Sequence, residues 1–432
     1  MLSRSKPLPY ICARCSRQIR HVRTYTSSTA SLEPPREYLP FGRSPLPHRR
    51  LLYIAGRDAP VFLHNLVTSN VIASSPHGTY TAFLNAPGRI LYDAFIYPVA
   101  WSHTFHAWRD EKLGTTSGVT KGGDRLDWAA FIEVDAQVLP GLMQHIKRYK
   151  LRSKFAYREV DPGDWEIWSS WDAAEPGVDI PATSPGIEAS AVANEGGGAA
   201  HTHIPSTPPP NLAPDAPITL HDPRPTLTTR LLHRTTTALP PPLTALPAAT
   251  PAHYALHRYL HGLPEGAGEI AAGSALPHEH NLDLLGAVDF RKGCYVGQEL
   301  TIRTQHTGVI RKRILPCALY EGSSVPETLR YEPSVKIPVP PGGADIKPVE
   351  GRGRSGGKWA VGMGNVGLGL CRLELMTDVR VTVEGPAGWK EGKEFGMIWE
   401  GDGGMERVKI KGFVPAWMRE RLTVRKTQKR VE

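Results

Sequence analysis

The nine residues Arg291-Lys-Gly-Cys-Tyr-Val-Gly-Gln-Glu299 set one thiol, Cys294, between Gly293 and Gly297, with two cations before it and two acceptor-rich side chains after it. The thiolate is the reactive form of cysteine and the form that ligates soft metals, and neighbouring positive charge favours it. Arg291 and Lys292 are read as the source of that charge. Flanking glycines let a backbone turn sharply or approach a ligand closely. Chemistry alone leaves two readings open: a cysteine that something must reach, or a structural cysteine buried in a tight turn.

A second block lies about 200 residues upstream. Arg50-Leu-Leu-Tyr-Ile-Ala-Gly-Arg-Asp58 is followed by Phe62-Leu63 and by Phe83-Leu-Asn-Ala-Pro-Gly-Arg-Ile-Leu-Tyr-Asp93. With Pro277-His-Glu-His-Asn-Leu-Asp-Leu-Leu-Gly286, Leu300-Thr-Ile-Arg303 and Gly308-Val-Ile-Arg-Lys-Arg-Ile-Leu-Pro316, these blocks resemble the aminomethyltransferase-like, folate-binding family that includes the glycine-cleavage T-protein. Within it they look like the mitochondrial iron–sulfur cluster assembly branch. The similarity covers most of residues 48–320.

The resemblance implies an α+β aminomethyltransferase folate-binding fold, with ferredoxin-like lobes and a C-terminal β-barrel. It implies maturation of [4Fe–4S] clusters together with A-type iron–sulfur carrier proteins. Cys294 becomes the candidate thiolate for a cluster held transiently with a partner, because one cysteine cannot complete a site that normally takes four thiolates. Tetrahydrofolate is the implied small-molecule ligand, with Asp93, Arg89, Lys292, Gly293, Tyr295, Gly297, Gln298 and Glu299 as its candidate contacts. The strand that carries an adjacent acid pair in the transferases reads Tyr92-Asp93 here. A neutral phenol is a poor base, so folate-dependent one-carbon transfer is the second reading. A folate-binding scaffold without cluster chemistry is the third. Asp93 itself reads either as a pteridine contact or as a structural carboxylate.

The elements that must position these residues follow from pattern. Leu51–Ile54, Thr79–Leu84, Ile90–Val99, Phe131–Val134 and Trp165–Trp168 read as strands, with Asn85-Ala-Pro-Gly88 as a turn. Ala59–Leu66, with Asp58 as N-cap, Gln137–Tyr149 and Tyr254–Leu260 read as helices. Residues 111–125 read as a loop and Pro-rich 239–251 as a linker. After Pro316, Val335–Val339, Trp359–Val361, Gly367–Glu374 and Val379–Val383 read as short strands of a small barrel. Three domains follow: a leader over 1–47, the folate-binding-type domain over 48–305, and the barrel with a basic tail over 306–432.

Composition narrows the function classes. The chain of 432 residues carries a net charge of +9, but residues 1–32 contribute six cations and no acid. The remainder is close to balanced, so the basic pI reports a leader rather than a nucleic-acid footprint. That leader is amphipathic and Arg- and Ser-rich, as mitochondrial presequences are, which predicts a matrix location. No apolar run approaches the roughly 18 residues of a membrane span. From Glu159 to Asp222 there are eleven acids and no Lys or Arg. The Ala/Pro/Gly/Ser/Thr interior at 183–217 predicts a disordered insert.

Weaker motifs carry less. Gly362-Met-Gly-Asn-Val-Gly367 reads as a β-turn rather than a dinucleotide loop, because no helix follows it. Gly351–Lys358 is one residue too long for a phosphate loop. His278 and His280 read as neighbours on one side of a strand. Cys12-x-x-Cys15 lacks a second ligand pair for zinc. The odd, scattered cysteines fit a reducing compartment, with Cys317 and Cys371 expected to pack in apolar strands.

Overall fold

The computed structural model describes residues 32–114, 128–172, 216–350, 353–381, 389–390, 392–401 and 403–431. Residues 1–31 of the leader and 183–215 of the expected insert lie outside the described residues, while the leader's end, 32–47, is described and contains strand Phe41–Pro45.

Strands β1 (Phe41–Pro45), β2 (Arg49–Ala55), β3 (Thr79–Leu84), β4 (Ile90–Pro98), β5 (Ala129–Asp135) and β6 (Ala156–Glu159) belong to the first half. So do helices α1 (Ala59–His64), α2 (His103–Leu113) and α3 (Leu139–Lys150). Five of these strands form an antiparallel sheet in the order β3-β4-β5-β2-β6. A second sheet, β1-β7-β9-β8, adds β7 (Trp165–Asp172), β8 (Ile218–His221) and β9 (Leu227–Arg234). Then come α4 (Pro241–Thr244), α5 (Pro251–His261) and α6 (Gln298–Thr307).

Alternation along the central strands divides the core in two. Leu52, Ile54, Phe83, Ala94, Ile132 and Val134 face α1 and α3, where Phe62, Leu63, Leu142 and Ile146 close the layer. Leu51, Tyr53, Phe95, Tyr97 and Phe131 face the second sheet, with Trp108 of α2, Trp165, Trp171 and Tyr254 of α5. Strand side chains alternate between faces with period 2, so each central strand serves both cores.

The C-terminal part is a closed six-stranded barrel in the order β10-β13-β12-β11-β14-β15. Its strands are β10 (Lys312–Tyr320), β11 (Asp345–Pro348), β12 (Gly357–Met363), β13 (Val366–Arg372), β14 (Phe395–Gly401) and β15 (Gly404–Gly412). Short α7 (Leu373–Met376) follows β13 and α8 (Ala416–Val431) ends the chain. Cys317 and Cys371 are buried inside, with sulfurs 3.8 Å apart. Both sulfurs lie over Gly369, where an added Cβ would meet each at 3.1 Å.

Several expected boundaries move. The polar stretch expected as a loop from 111 begins inside α2, whose Ser102 hydroxyl caps the Phe105 N–H at 3.2 Å. The Pro-rich linker is instead α4 and the start of α5, where Pro251 occupies the first turn and Thr250 caps. Proline suits that position because its missing N–H has no helical partner there. Asp58 does not cap α1 with its side chain; its carboxylate accepts the Lys154 N–H at 2.6 Å. Val335–Val339 and the described part of Val379–Val383 are not strands. Gly362–Gly367 spans the β12–β13 hairpin, as its composition suggested. The basic tail packs in part on the fold: Met418 is buried, Trp417 donates to the His261 carbonyl at 3.1 Å, and Arg421 donates to the Leu284 carbonyl.

Candidate functional site

The two sequence blocks meet in space. The Asn85–Gly88 turn joins β3 to β4, and the Cys294 loop runs across it into α6. Gly88 and Gly297 both adopt left-handed backbone, at φ +81° and +79°. A Cβ on Gly297 would lie 2.3 Å from the Asn85 carbonyl, and one on Gly88 would lie 2.8 Å from the Gly297 carbonyl. Glycine at both places is therefore what lets the two segments touch.

Lys292 anchors the loop. Its ammonium donates to the carbonyls of His64, Val67 (2.7 Å) and Ser69 (2.8 Å), at and just beyond the end of α1. The ammonium also stands 4.9 Å from the centre of the Tyr295 ring. Burial pushes the lysine down to about 8, so near neutrality it is still largely an ammonium with three hydrogens for three acceptors. Sequence reasoning cast Lys292 as a charge acting on the thiol; the fold turns it inward onto backbone instead. On the other side of the thiol, Tyr295 is buried and its hydroxyl is pushed up to about 12 by burial. The Val296 N–H donates to the Asn65 carbonyl at 3.1 Å. Gly293 and Cys294, between these anchors, are exposed. The loop is pinned on both flanks and displays its sulfur outward.

Of the other candidate contacts, Gln298 accepts the Tyr295 N–H through its side-chain oxygen at 3.3 Å and begins α6, with exposed Glu299 in the same first turn. Arg89 donates to the Ser274 carbonyl at 2.6 Å. Asp93 sits elsewhere, inside the layer between the two sheets. It accepts from Arg49 at 3.3 Å and from the Gly266 N–H at 3.0 Å. Tyr92 faces the other way, within ring contact of Phe83 and His145. The two cannot act on one substrate, because successive residues of a strand point to opposite faces.

The surroundings of Asp93 were not legible in the sequence. Arg49 donates to Glu133 at 2.7 Å, and Arg230 bridges Glu133 and Glu265. Arg224 pairs with Asp222 at 2.7 Å and with Glu265 at 2.8 Å. Tyr97 and Tyr254 donate to Glu133 and Glu265 at 2.6 and 2.9 Å. The Arg230 guanidinium covers the Phe95 ring at 4.1 Å. Burial alone would raise the Glu133 carboxyl, but Arg230 and Arg49 outweigh it and hold the group at about 2. The same balance keeps Glu265 well below the usual carboxylate range.

This layer bears on folate. A pteridine at Asp93 would need the carboxylate free and space beside it. Here each of its oxygens accepts one hydrogen bond, from Arg49 and from the Gly266 N–H, and the residue is buried. The candidate folate contacts fall in two places: the Cys294 loop lies against the turn that precedes Arg89, and Asp93 is buried in the core. In this structure the Asp93 carboxylate serves Arg49 and Gly266. His278 and His280 lie in helical turns rather than on a strand, both buried. Among the described residues no three His, Cys, Asp or Glu side chains converge to hold a metal, and no helix is long and apolar enough to cross a membrane.

Comparison with known proteins identifies relatives of the chain and of its fold. Residues 311–420, the barrel and the start of α8, match the family described as the CAF17 C-terminal beta-barrel domain. The chain is 38% identical over 443 residues to the mitochondrial iron–sulfur cluster assembly factor IBA57 homolog of Aspergillus fumigatus, covering 95% of this chain and 90% of that protein. It is 39% identical over 431 residues to the homolog of Chaetomium globosum, covering 92% and 87%. Among solved structures it is similar to the glycine cleavage system aminomethyltransferase T of Bartonella henselae, with a TM-score of 0.51 over 88% of this chain and 87% of that one, at 11% identity. That identity supports a shared fold and nothing finer.

Proposed function

The chain belongs to the family of mitochondrial iron–sulfur cluster assembly factors named IBA57, and from that premise we propose that it holds an iron–sulfur cluster transiently, between Cys294 and the thiolates of an A-type carrier protein, during [4Fe–4S] maturation in the mitochondrial matrix. The observation that carries this reading is the exposed sulfur of Cys294 on a loop fixed by Lys292, Tyr295 and Val296. A soft thiolate suits cluster iron, and the remaining ligands come from the partner. The cluster is cargo. Cys294 Sγ loses its proton as the iron–sulfur bond forms, and regains one when the cluster leaves. The rigid flanks keep the sulfur in place, so little ordering entropy opposes each transfer.

One-carbon transfer is the weaker reading, because Asp93 is closed by Arg49 and Gly266 and its neighbour Tyr92 faces α3. The resident chemistry of this reading therefore needs no folate at Asp93.

The test is anaerobic reconstitution with iron, sulfide and a purified A-type carrier, followed by visible absorption. Wild type and the Cys317→Ser and Cys371→Ser variants should form the shared cluster. Cys294→Ser should fold and fail to hold it. Cluster absorption at wild-type stoichiometry in Cys294→Ser would remove Cys294 as a ligand.

A further inference from the structure

Between Gln137 and Arg158 the chain carries Lys147, Arg148, Lys150, Arg152, Lys154 and Arg158 and no acid. The first five line the last turn of α3 and the loop into β6, and Arg158 lies within β6. Five of them are exposed or half-exposed around the loop, and none of the six is in an ion pair among the described residues. Lys150 stands 5.0 Å from the Phe155 ring and Arg148 stands 5.9 Å from the Tyr149 ring, contacts that hold them in place without neutralising them. At the centre is Leu151. Its side chain is 87% exposed, the highest value among the large hydrophobic side chains described, and its backbone is left-handed at φ +43°. A leucine there has neither burial nor backbone comfort to explain it.

Helix α1 connects this loop to the thiol. At its beginning the Asp58 carboxylate accepts the Lys154 N–H at 2.6 Å, and Phe62 packs on Phe155 with ring centres 4.6 Å apart. At its end the His64 and Asn65 carbonyls hold Lys292 and Val296 of the Cys294 loop. Six residues of helix span about 9 Å, so the basic loop and the exposed sulfur flank one short strut. Val61, in the middle of that strut, is 65% exposed.

We propose that the Lys147–Lys154 loop, Leu151 and the outer side of α1 form one docking surface with Cys294 for an acidic face of the cluster-carrying partner protein. This rests on the cluster-holding reading above. The cations supply steering, Leu151 and Val61 supply apolar contact, and Cys294 supplies the ligand. Cys294 on the same strut favours a protein over an anionic bilayer, since lipid offers no thiolates to complete a cluster.

The experiment measures association of the full chain with a purified, cluster-loaded A-type carrier by stopped flow, as a function of salt. Lys147→Glu, Arg148→Glu and Arg152→Glu together should slow association roughly 10- to 100-fold at low ionic strength, and the difference should vanish at high salt. Leu151→Ser should mainly speed dissociation. Cys294→Ser should associate at the wild-type rate yet hold no cluster, which separates failure of this surface from failure of the ligand assignment. Association of the triple variant at the wild-type rate at low salt overturns the proposal. So does a triple variant that binds the carrier normally but loses binding to phosphatidylglycerol vesicles, which would make the surface a lipid contact.

Discussion

Replacing Lys292 by methionine keeps an unbranched stem over Tyr295 and removes the ammonium. Three carbonyls, of His64, Val67 and Ser69, then lose their donor. A hydrogen bond to a charged group contributes about 1.5–3 kcal/mol, but three bonds from one nitrogen are not independent. Freeing the lysine side chain also returns up to about 2 kcal/mol of rotamer entropy. The net loss is about 3 kcal/mol, concentrated where the Cys294 loop meets α1. The reporter is the Val296 amide, whose bond to the Asn65 carbonyl closes the same contact. Its hydrogen exchange in Lys292→Met should accelerate on the order of 100-fold, since about 1.4 kcal/mol is a factor of ten. Amides of β5, at the centre of the five-stranded sheet, should change much less. Unchanged protection at Val296 would show that the loop is held by Tyr295 burial alone and that the carbonyl cage is incidental.

Glu133 makes stability acid-sensitive. Its carboxyl is held at about 2 in the fold against an ordinary value of 4.5, so its contribution is present above the ordinary value and lost as pH falls towards the folded one. That gap corresponds to about 3 kcal/mol, and urea midpoints should fall between pH ~6 and ~3 more steeply in wild type than in Glu133→Gln, which is the weaker protein at neutral pH. Equal slopes would refute the assignment. A reporter protein fused behind residues 1–45 should enter the mitochondrial matrix, and its retention in the cytosol would refute the matrix placement drawn from the acid-free leader.

What could be read in advance was what periodicity and glycine report. Strands β2 to β5 carry large apolar residues, and the Asn85–Gly88 turn lies where its Pro and Gly placed it. Helix α6 escaped because Gln298–Thr307 is mostly polar, with Leu300 and Ile302 as its only large apolar residues, and buries only Thr301. The ionic layer escaped for another reason. Arg49, Asp93, Glu133, Arg230 and Glu265 are spread over more than 200 residues, and each alone looks like a surface charge. Only tertiary pairing makes their burial tolerable. The acid-free run after Gln137 was visible in the sequence, but its meaning came from the position of α1 between it and Cys294.

The ionic layer also sets what it would cost to open Asp93. A substrate reaching Asp93 would have to displace Arg49 and the Gly266 N–H, both buried donors to the carboxylate. Arg49 could not simply leave, because it also holds Glu133, and Glu133 in turn holds Arg230 and Tyr97. Uncovering one acid would leave several buried charges without partners, at several kcal/mol each. The Cys294 loop carries no such linkage. Its sulfur is exposed already, and its supports are backbone carbonyls that do not change when the thiol is used. Chemistry is favoured where engaging a group disturbs nothing else, which is why the proposed cluster contact is placed at the exposed Cys294.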